Sequence, residues 1–347
     1  MKSKLILLFI LSFYINSGAH ATVIHSTKTF EQNGASLTEH LTITLPENFN
    51  RQIYKSIVQK IGYIYQPHSQ VIHEKILKDI VLYKTRYFIG DYGLRILPPE
   101  LLNTKAPNHL IMAGDSNVFS EGCLDADSIT VQLSRELPQF DAYNFGHRGG
   151  GPHNTLSMME HYPFWNLIKE KKGVFIYNFF TGHMYERVVG AKNYIVWDTG
   201  RSPYYALDNH DVAQYQGSFN KRFITKIYKF ISAHPFLNDL LPVLPQINAD
   251  HIKLISKIFV KMKSLYLRSF PEGKFIVIIN NSYVFFDKDT ETLKLDLKKE
   301  GIETMEIPYM GINKKQFIFK DMHLNPRGQK IQSKIIADQL LKILSLH

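Results

Sequence analysis

The stretch His109-Leu110-Ile111-Met112-Ala113-Gly114-Asp115-Ser116 decides the fold that we predict for this chain. Its apolar run predicts a short buried strand, and the Gly-Asp-Ser that follows predicts a turn at the carboxyl end of that strand. Parallel sheets bind their ligands at the carboxyl ends of their strands. Ser116 is therefore expected at a ligand-binding edge.

Beyond this stretch, apolar strands alternate with amphipathic helices. Strands are predicted over 142–145, 174–180, 274–280 and 302–307, and helices over 128–137, 156–165, 290–299 and 326–344. Asp127 is a candidate N-cap for the first of these helices, and Asn325 followed by Pro326 suits the start of the last. The alternation predicts an α/β fold in which helices cover both faces of a parallel sheet.

The start of the chain has the pattern of a secretory signal peptide over 1–21. Lys2 and Lys4 precede an apolar run to about Ile15, and Ala19-His20-Ala21 offers small residues at a cleavage site. A membrane anchor is the alternative, but the run is short for a bilayer span. We expect an exported protein, periplasmic or secreted, with no transmembrane segment after cleavage.

The rest of the chain divides into two predicted segments. Residues 22–108 form an N-terminal extension that is predicted to be helical in part over 50–82, with a hairpin over 83–96. Residues 109–347 form the α/β domain. This domain carries an insertion at about 185–250 that is rich in Tyr, Asn, Asp and Gly. The insertion is either a cap beside the ligand-binding edge or a structural excursion.

Composition limits the choice of partners. The 347 residues carry a formal net charge of +10, which favours anionic partners such as acidic glycans or lipid headgroups. The sequence contains no zinc-finger or RNA-binding signature, so no nucleic-acid partner is expected. The single cysteine, Cys123, excludes an intramolecular disulfide and fits a small buried side chain better than a nucleophile. The sequence leaves the oligomeric state open.

Three short motifs carry residues for nucleophilic chemistry. A serine hydroxyl attacks only when a base takes its proton, and a carboxylate must orient a histidine base. Gly114-Asp115-Ser116-Asn117 offers the serine, and Asp321-Met322-His323 offers the carboxylate and base before the last helix. Asn144-Phe145-Gly146-His147-Arg148-Gly149 follows a strand and precedes a helix, so its amides can face an anion.

Together these motifs resemble the SGNH, or GDSL-like, hydrolase family over about 109–344. The resemblance implies a three-layer α/β/α, flavodoxin-like domain with a parallel central sheet. It implies that Ser116 is the nucleophile, that its N–H is one oxyanion donor and that Gly149 is another. It also implies that His323 is the general base and that Asp321 orients it. The chain looks similar to an uncharacterised bacterial subgroup with an N-terminal extension.

Two features depart from the family pattern. The last block is Asp-x-His where Asp-x-x-His is common, which resembles the acetyltransferase domains of alginate-modification proteins. The third block, Gly-x-Asn-Asp, is missing, and residue counting places Gly182 or His183 near the expected asparagine. His183 either donates to an oxyanion or is a structural histidine. Arg187 and Asn117 are candidates for binding the substrate.

The predicted function is that of a serine esterase. It would act through an acyl-serine intermediate on an O-acylated carbohydrate or a lipid ester, with no metal ion and no organic cofactor. A polysaccharide O-acetyltransferase is the first alternative, because of the Asp-x-His spacing. A catalytically inactive carbohydrate-binding protein is the second, because of the missing third block.

Overall fold

The computed structural model describes residues 14–18, 21–32, 35–181, 183–281, 288–308 and 315–345. Most of the predicted signal peptide lies outside these ranges, as does Gly182, one of the two candidates for the third-block donor. In the described part of the chain, no helix combines the length and apolarity that crossing a bilayer requires.

The strands and helices are numbered in chain order. The strands are β1 (Tyr14–Gly18), β2 (Ala21–Gln32), β3 (Ala35–Thr44), β4 (Gln70–Leu77), β5 (Ile80–Ile89), β6 (Arg95–Ile96), β7 (Asn108–Gly114), β8 (Phe140–Gly146), β9 (Lys172–Phe180), β10 (Pro203–Leu207), β11 (Ala213–Ser218), β12 (Lys274–Asn280) and β13 (Glu303–Ile307). The helices are α1 (Arg51–Ile61), α2 (Ser116–Phe119), α3 (Ile129–Glu136), α4 (Pro152–His161), α5 (Met184–Val189), α6 (Lys192–Asp198), α7 (Phe223–Ala233), α8 (Pro235–Leu240), α9 (Ala249–Ser269), α10 (Lys288–Lys299) and α11 (Pro326–Ser345).

A five-stranded parallel sheet forms the centre of the molecule, in the order β13-β12-β9-β7-β8. Read from β7 as the first strand, this is the 2-1-3-4-5 order of flavodoxin-like sheets. The second strand is added on one side of the first strand, and the later strands are added on the other side. That reversal point lies between β7 and β9. The predicted α/β fold class with a parallel central sheet is confirmed.

Side chains of the central strands alternate between two apolar cores. Leu110 and Met112 on β7 pack in a core with α3 and α11, whereas Ile111 and Ala113 pack in a core with α4 and α9. All four side chains are fully buried. A strand covered on both faces reads as a continuous apolar run, as this one does. The sheet therefore forms the middle of three layers.

The N-termini of two helices, α3 and α11, test the predicted N-caps. The Asn325 side chain accepts a hydrogen bond from the Gly328 backbone N–H (3.0 Å) at the start of α11, as predicted. The predicted cap of α3, Asp127, is wrong. Ser128 is the N-cap, and its side chain accepts from Val131 N–H (3.4 Å).

The N-terminal extension is mainly a sheet, so the helical prediction for it is wrong beyond Ile61. There α1 ends at Gly62, which has φ +90°. Strands β1 to β6 form one antiparallel sheet in sequential order, and the predicted hairpin appears as β5 and β6. Along β4 the buried positions recur every second residue, at Val71, His73 and Lys75. Because two of these buried residues are polar, the pattern of apolar residues does not show the period of two that is typical of a strand.

The insertion begins after β9 and contains α5 to α8 and the hairpin of β10 and β11. Helix α7 packs on α6 through a small aromatic core that includes Tyr194, Phe219 and Tyr228. The α6 residue Trp197 lies directly over Gly149, on the turn after β8. The insertion therefore borders the carboxyl edge of the sheet beside β8.

Candidate active site

Ser116 begins a short helix at the carboxyl end of β7. Asp115 caps that helix by accepting a hydrogen bond from Asn117 N–H (2.9 Å), and Ser120, with φ +60°, ends it. Only 5% of Ser116 is exposed. The serine therefore lies on a rigid strand-to-helix turn at the point where the sheet order reverses.

Ser116, His323 and Asp321 come together in one hydrogen-bonded chain. His323 Nε2 lies 2.9 Å from Ser116 Oγ, and His323 Nδ1 lies 2.9 Å from Asp321 Oδ2. The intervening Met322 has φ +77°, and the His323 backbone N–H donates to Asp321 Oδ1 (3.2 Å). A left-handed residue between the two side chains turns both the same way, so the short Asp-x-His spacing still allows contact.

His183 binds the residue that caps the serine turn. Its Nε2 lies 2.8 Å from Asp115 Oδ2, and the Arg187 guanidinium lies 3.4 Å from the same oxygen. Burial alone would raise the pKa of Asp115, but the His183 hydrogen bond and the nearby Arg187 lower this pKa to about 2. Asp115 is therefore an anion that holds His183 against the end of β7.

Arg187 and Asn117 make internal contacts where substrate contacts were predicted. The Arg187 guanidinium donates to the Gly150 carbonyl (2.6 Å) as well as facing Asp115. The Asn117 side chain donates to Asp115 and accepts from Leu324 N–H (3.4 Å), next to His323. Only 4% of Asn117 is exposed. Both residues therefore position the turns of the site, and their contact with substrate stays a prediction.

Gly149 lies on the turn that follows β8, the strand beside β7. The start of this turn is fixed by His147 N–H, which donates to the Gly114 carbonyl (2.8 Å), and by Asn144, whose side chain donates to the Val118 carbonyl (2.8 Å). Gly149 has φ +71°, and an added Cβ would lie 2.0 Å from the Trp197 ring. Only glycine fits this conformation and this contact.

Replacing Gly149 by Ala is expected to lower the free energy of unfolding by about 2 kcal/mol, because left-handed strain and a steric clash add together. Gly301→Ala is the matched control, since Gly301 has φ +63° but an added Cβ would have no contact closer than 3.6 Å. Urea unfolding measures both variants. Equal losses for the two variants would show that Trp197 does not restrain the turn.

A second group of polar residues reaches the site from the N-terminal sheet, and the sequence did not indicate it. Lys75 on β4 and Tyr83 on β5 are paired in register and both face inward. Lys75 Nζ lies 2.9 Å from Asp321 Oδ2, and the Tyr83 hydroxyl lies 3.2 Å from the same oxygen. The orienting carboxylate therefore has two partners besides His323.

Glu121 joins this group from the loop after α2. Its Oε1 lies 3.1 Å from both Lys75 Nζ and the Tyr83 hydroxyl, and its Oε2 accepts a 2.7 Å hydrogen bond from Arg148. The same Oε2 lies 3.7 Å from His323 Nε2. Glu121 is 2% exposed. A second buried carboxylate thus faces the nitrogen of His323 that contacts Ser116.

The charges around His323 favour its protonated form. Burial lowers the pKa of His323, but Glu121 and Asp321 outweigh burial, so this pKa lies above the ordinary value of a histidine. Burial likewise opposes ionisation of Asp321, but His323 and Lys75 hold the pKa of Asp321 well below its ordinary range. An anionic Asp321 beside a readily protonated His323 is the arrangement that a general base requires.

Among the residues that the structure describes, two groups of carboxylate and imidazole atoms are close enough together to surround a cation: one of Glu39, His73 and Glu121, and one of Glu121, Asp321 and His323. Lys75 and Arg148 already pair with carboxylates of both groups. A metal ion would have to compete with these two buried cations. We therefore treat the residues as an ion-pair cluster.

No protein-family model matches the chain, and no curated protein matches it. Among solved structures, it is similar to an acetyl xylan esterase from the rumen bacterium Butyrivibrio proteoclasticus, with 12% identity over 69% of this chain and 64% of that one and a TM-score of 0.41. A carbohydrate esterase family 2 enzyme from Myceliophthora fergusii shares 12% identity over 79% and 77% of the two chains, with a TM-score of 0.39.

A third similar structure is a chain from Parabacteroides merdae named for its likeness to GDSL lipases. It shares 8% identity over 66% of this chain and 94% of that one, with a TM-score of 0.35. Because these three TM-scores lie below 0.5, we base the functional proposal on the geometry of this chain alone.

Proposed function

We propose that this chain is an exported serine ester hydrolase of the SGNH type, acting through an acyl-Ser116 intermediate. The observation that carries the proposal is the continuous contact from Ser116 Oγ to His323 Nε2 (2.9 Å) and from His323 Nδ1 to Asp321 Oδ2 (2.9 Å). A serine, a histidine and a carboxylate joined in this order activate the serine for attack on an ester carbonyl.

In the first half of the reaction, Ser116 Oγ attacks the ester carbonyl carbon while its proton passes to His323 Nε2. Asp321 accepts the hydrogen bond from Nδ1–H and stabilises the imidazolium. The tetrahedral intermediate then collapses. Its bond to the alcohol oxygen breaks, and the proton on Nε2 passes to the leaving alcohol. The acyl group stays on Ser116.

In the second half, water takes the place of the alcohol. His323 Nε2 removes a proton from water as the water oxygen bonds to the acyl carbon. The bond between the acyl carbon and Ser116 Oγ then breaks, and Nε2 returns the proton to Oγ. The products are a carboxylic acid and the free serine. The step needs no redox partner and no cofactor, since every proton that leaves one group is taken up by another.

The oxyanion of each tetrahedral intermediate needs donors directed at it. The Ser116 N–H at the start of α2 and the Gly149 N–H on the neighbouring turn fill this role in the proposal. Burial and Arg187 lower the pKa of His183, which favours a neutral ring with a single N–H. That N–H is on Nε2 and faces the Asp115 carboxylate, so in the proposal His183 holds the serine turn and the two backbone donors bind the oxyanion.

The substrate class that we propose is an O-acylated carbohydrate or a lipid ester outside the cytoplasm. The signal-peptide pattern over 1–21 supports export. Cleavage after Ala21 removes Lys2 and Lys4 and leaves +10 − 2 = +8, a charge that suits an anionic substrate or surface. Transfer of an acetyl group to a polysaccharide hydroxyl is the second candidate. It is favoured by the Asp-x-His spacing, which Met322 accommodates through its left-handed backbone.

A chromogenic acetate ester tests the proposal and separates its two forms. Purified protein is incubated with the ester alone and then with an added oligosaccharide acceptor, and both free acetate and acetylated sugar are quantified. A hydrolase releases acetate at a rate that the acceptor does not change. An acetyltransferase forms acetylated sugar at the expense of acetate. If neither product forms with short esters, the enzyme proposal is wrong and the binding-protein alternative is favoured.

A further inference from the structure

The inner face of the N-terminal sheet is polar where it approaches the proposed catalytic pair. Glu39 on β3, His73 and Lys75 on β4 and Thr85 on β5 occupy buried positions that recur every second residue. Buried faces of sheets are ordinarily apolar, and buried charges are retained only when they are paired. The face must therefore be matched by charges on the domain that it covers.

Those matching charges are Glu121, Arg148 and Asp321. Lys75 bridges Glu121 and Asp321, at 3.1 and 2.9 Å, and Arg148 bridges Glu39 and Glu121. We propose that Lys75 and Glu121 are positioning residues for the Asp321–His323 pair, so that the N-terminal sheet is part of the active site. This inference rests on the proposed function, because it concerns the same histidine.

The charge count explains what the cluster does. It contains three carboxylates, on Glu39, Glu121 and Asp321, and two permanent cations, on Lys75 and Arg148. With neutral histidines the cluster carries one excess negative charge. Protonation of His323 during acyl transfer brings the cluster to neutrality in a site shielded from water. The cluster is thus already arranged for the charge that forms on His323.

The groups that face His323 act in opposite directions. Glu121 and Asp321 stabilise its cation, and Lys75 destabilises it. His183 also faces His323 from the start of α5, but burial and Arg187 lower its pKa and keep it neutral. Tyr83 reaches His323 only through Asp321 and Glu121. Removing Glu121 or Lys75 should therefore move the pKa of His323 in opposite directions.

The test is an NMR titration of the His323 ring in Ser116→Ala protein, which reports the pKa without any turnover. His323→Gln identifies the resonance. Adding Glu121→Gln is expected to lower the pKa by roughly 0.5 to 1, and adding Lys75→Met to raise it by a similar amount. Lys75→Arg keeps the charge and should leave the pKa near the reference. Shifts in the same direction, or no shift, would overturn the proposal.

A buried charge left alone can unfold a variant, so the double variant Glu121→Gln/Lys75→Met is included. It removes one charge of each sign, and we expect its pKa to lie between those of the two single variants. A pKa of the double variant outside that interval would also count against the proposal. In Ser116-containing protein the acid limb of kcat/KM should move with the NMR values. An inactive protein in which the NMR shifts still appear would refute the proposed function alone.

A second and independent observation concerns the surface of α7 and α8. Phe223, Ile227 and Phe230 recur at helical spacing on α7, with Phe223 exposed by 74%. The α8 residue Phe236 is 77% exposed, and Leu240 is exposed near it. The opposite face of α7 is buried against the insertion. An apolar stripe of this size on an exposed helix marks an interaction surface.

The charges beside the stripe identify its partner. The exposed cations Lys221, Lys226 and Lys229 lie in or next to α7, and the described segment 221–243 has one acidic residue, Asp239. Arg222 is not among them, because its guanidinium packs on Tyr204 and Phe219. A helix with an apolar face flanked by cations binds an anionic bilayer surface parallel to the membrane plane. We infer that α7 and α8 dock the protein on anionic lipid. The other face of α7 packs on α6, which carries Trp197 over Gly149, so α6 lies between the docked helix and the Gly149 turn.

Vesicle flotation tests this inference with phosphatidylglycerol–phosphatidylcholine vesicles against pure phosphatidylcholine. Binding is expected only to the anionic vesicles and should weaken in high salt. Phe223→Ser/Phe236→Ser should reduce the bound fraction at least about fivefold, since two apolar anchors are lost. Leu295→Ser on α10 removes an exposed apolar side chain elsewhere and should have no effect. No binding to anionic vesicles, or a dimer that the Phe variants dissociate, would overturn the inference.

Discussion

Replacing Ser116 by Ala is expected to lower kcat/KM for an acetate ester by about 10⁴-fold or more. The variant keeps the packing of a residue that is 5% exposed, so its fold should be unchanged. It lacks the Ser116 Oγ, which lies 2.9 Å from His323 Nε2. Steady-state kinetics on purified protein, with circular dichroism as a check of folding, measure the effect.

Cys123→Ser is the control for Ser116→Ala. Cys123 also carries a nucleophilic atom near the site, but burial raises its pKa to about 12, so its thiol stays protonated. Its Sγ contacts the Leu324 carbonyl (3.4 Å), and serine can make a similar contact. We expect activity within about threefold of wild type for Cys123→Ser. Loss of activity in Cys123→Ser together with retained activity in Ser116→Ala would reverse the assignment of the nucleophile.

Replacing Asp321 by Asn is expected to lower kcat by about 10³-fold or more while KM changes little. Asparagine can donate its amide N–H to His323 Nδ1, which places the proton of the ring on Nε2, where it faces Ser116. The ring then cannot accept the serine proton. The substitution also leaves Lys75 without one of its two carboxylate partners. Initial rates over a range of ester concentrations separate kcat from KM.

We attribute the expected loss of kcat in Asp321→Asn to the lost negative charge and not to misfolding. Asp321→Glu is the control for this explanation. Glutamate keeps the negative charge but is longer, so part of the rate should return. A loss of less than about tenfold in Asp321→Asn would mean that the residue does not orient His323. In that case the second carboxylate near His323, Glu121, would be the candidate for that role.

The central sheet and the positions of the candidate catalytic motifs on it could be predicted because their signals are local in sequence. Strand β7 is a continuous apolar run that ends in Gly-Asp-Ser, and α11 begins at Asn325-Pro326 as expected. The parallel topology then requires the carboxyl ends of β7, β8 and β9 to share one edge. Residues 207 positions apart, Ser116 and His323, are brought together by this topology.

The N-terminal sheet could not be predicted in the same way. Its buried face carries His73 and Lys75, so that a reading of apolar residues finds no period of two there. The contact of Lys75 with Asp321 joins strand β4 to the loop before α11, and these two positions share no local motif. Whether Lys75 faces Asp321 or solvent depends on which face of β4 is covered, and only the tertiary structure determines that.

The proposed oxyanion region could be predicted from the sequence in part. The sequence indicated the Gly149 turn, and the positive φ and the Trp197 contact explain why glycine stands there. The sequence left His183 open between a donor and a structural histidine. Its contact with the Asp115 anion uses the one N–H of the neutral ring, which favours the structural role.

Labelling with a fluorophosphonate, followed by mass spectrometry of the peptides, tests the central claim most directly. The reagent reacts with a serine only when a base activates it, so the adduct identifies the nucleophile whatever the natural substrate is. We predict one adduct on Ser116 in wild-type protein and none in Ser116→Ala or in His323→Ala. An adduct on another residue of catalytically active protein, or active protein that forms no adduct at all, would contradict the account.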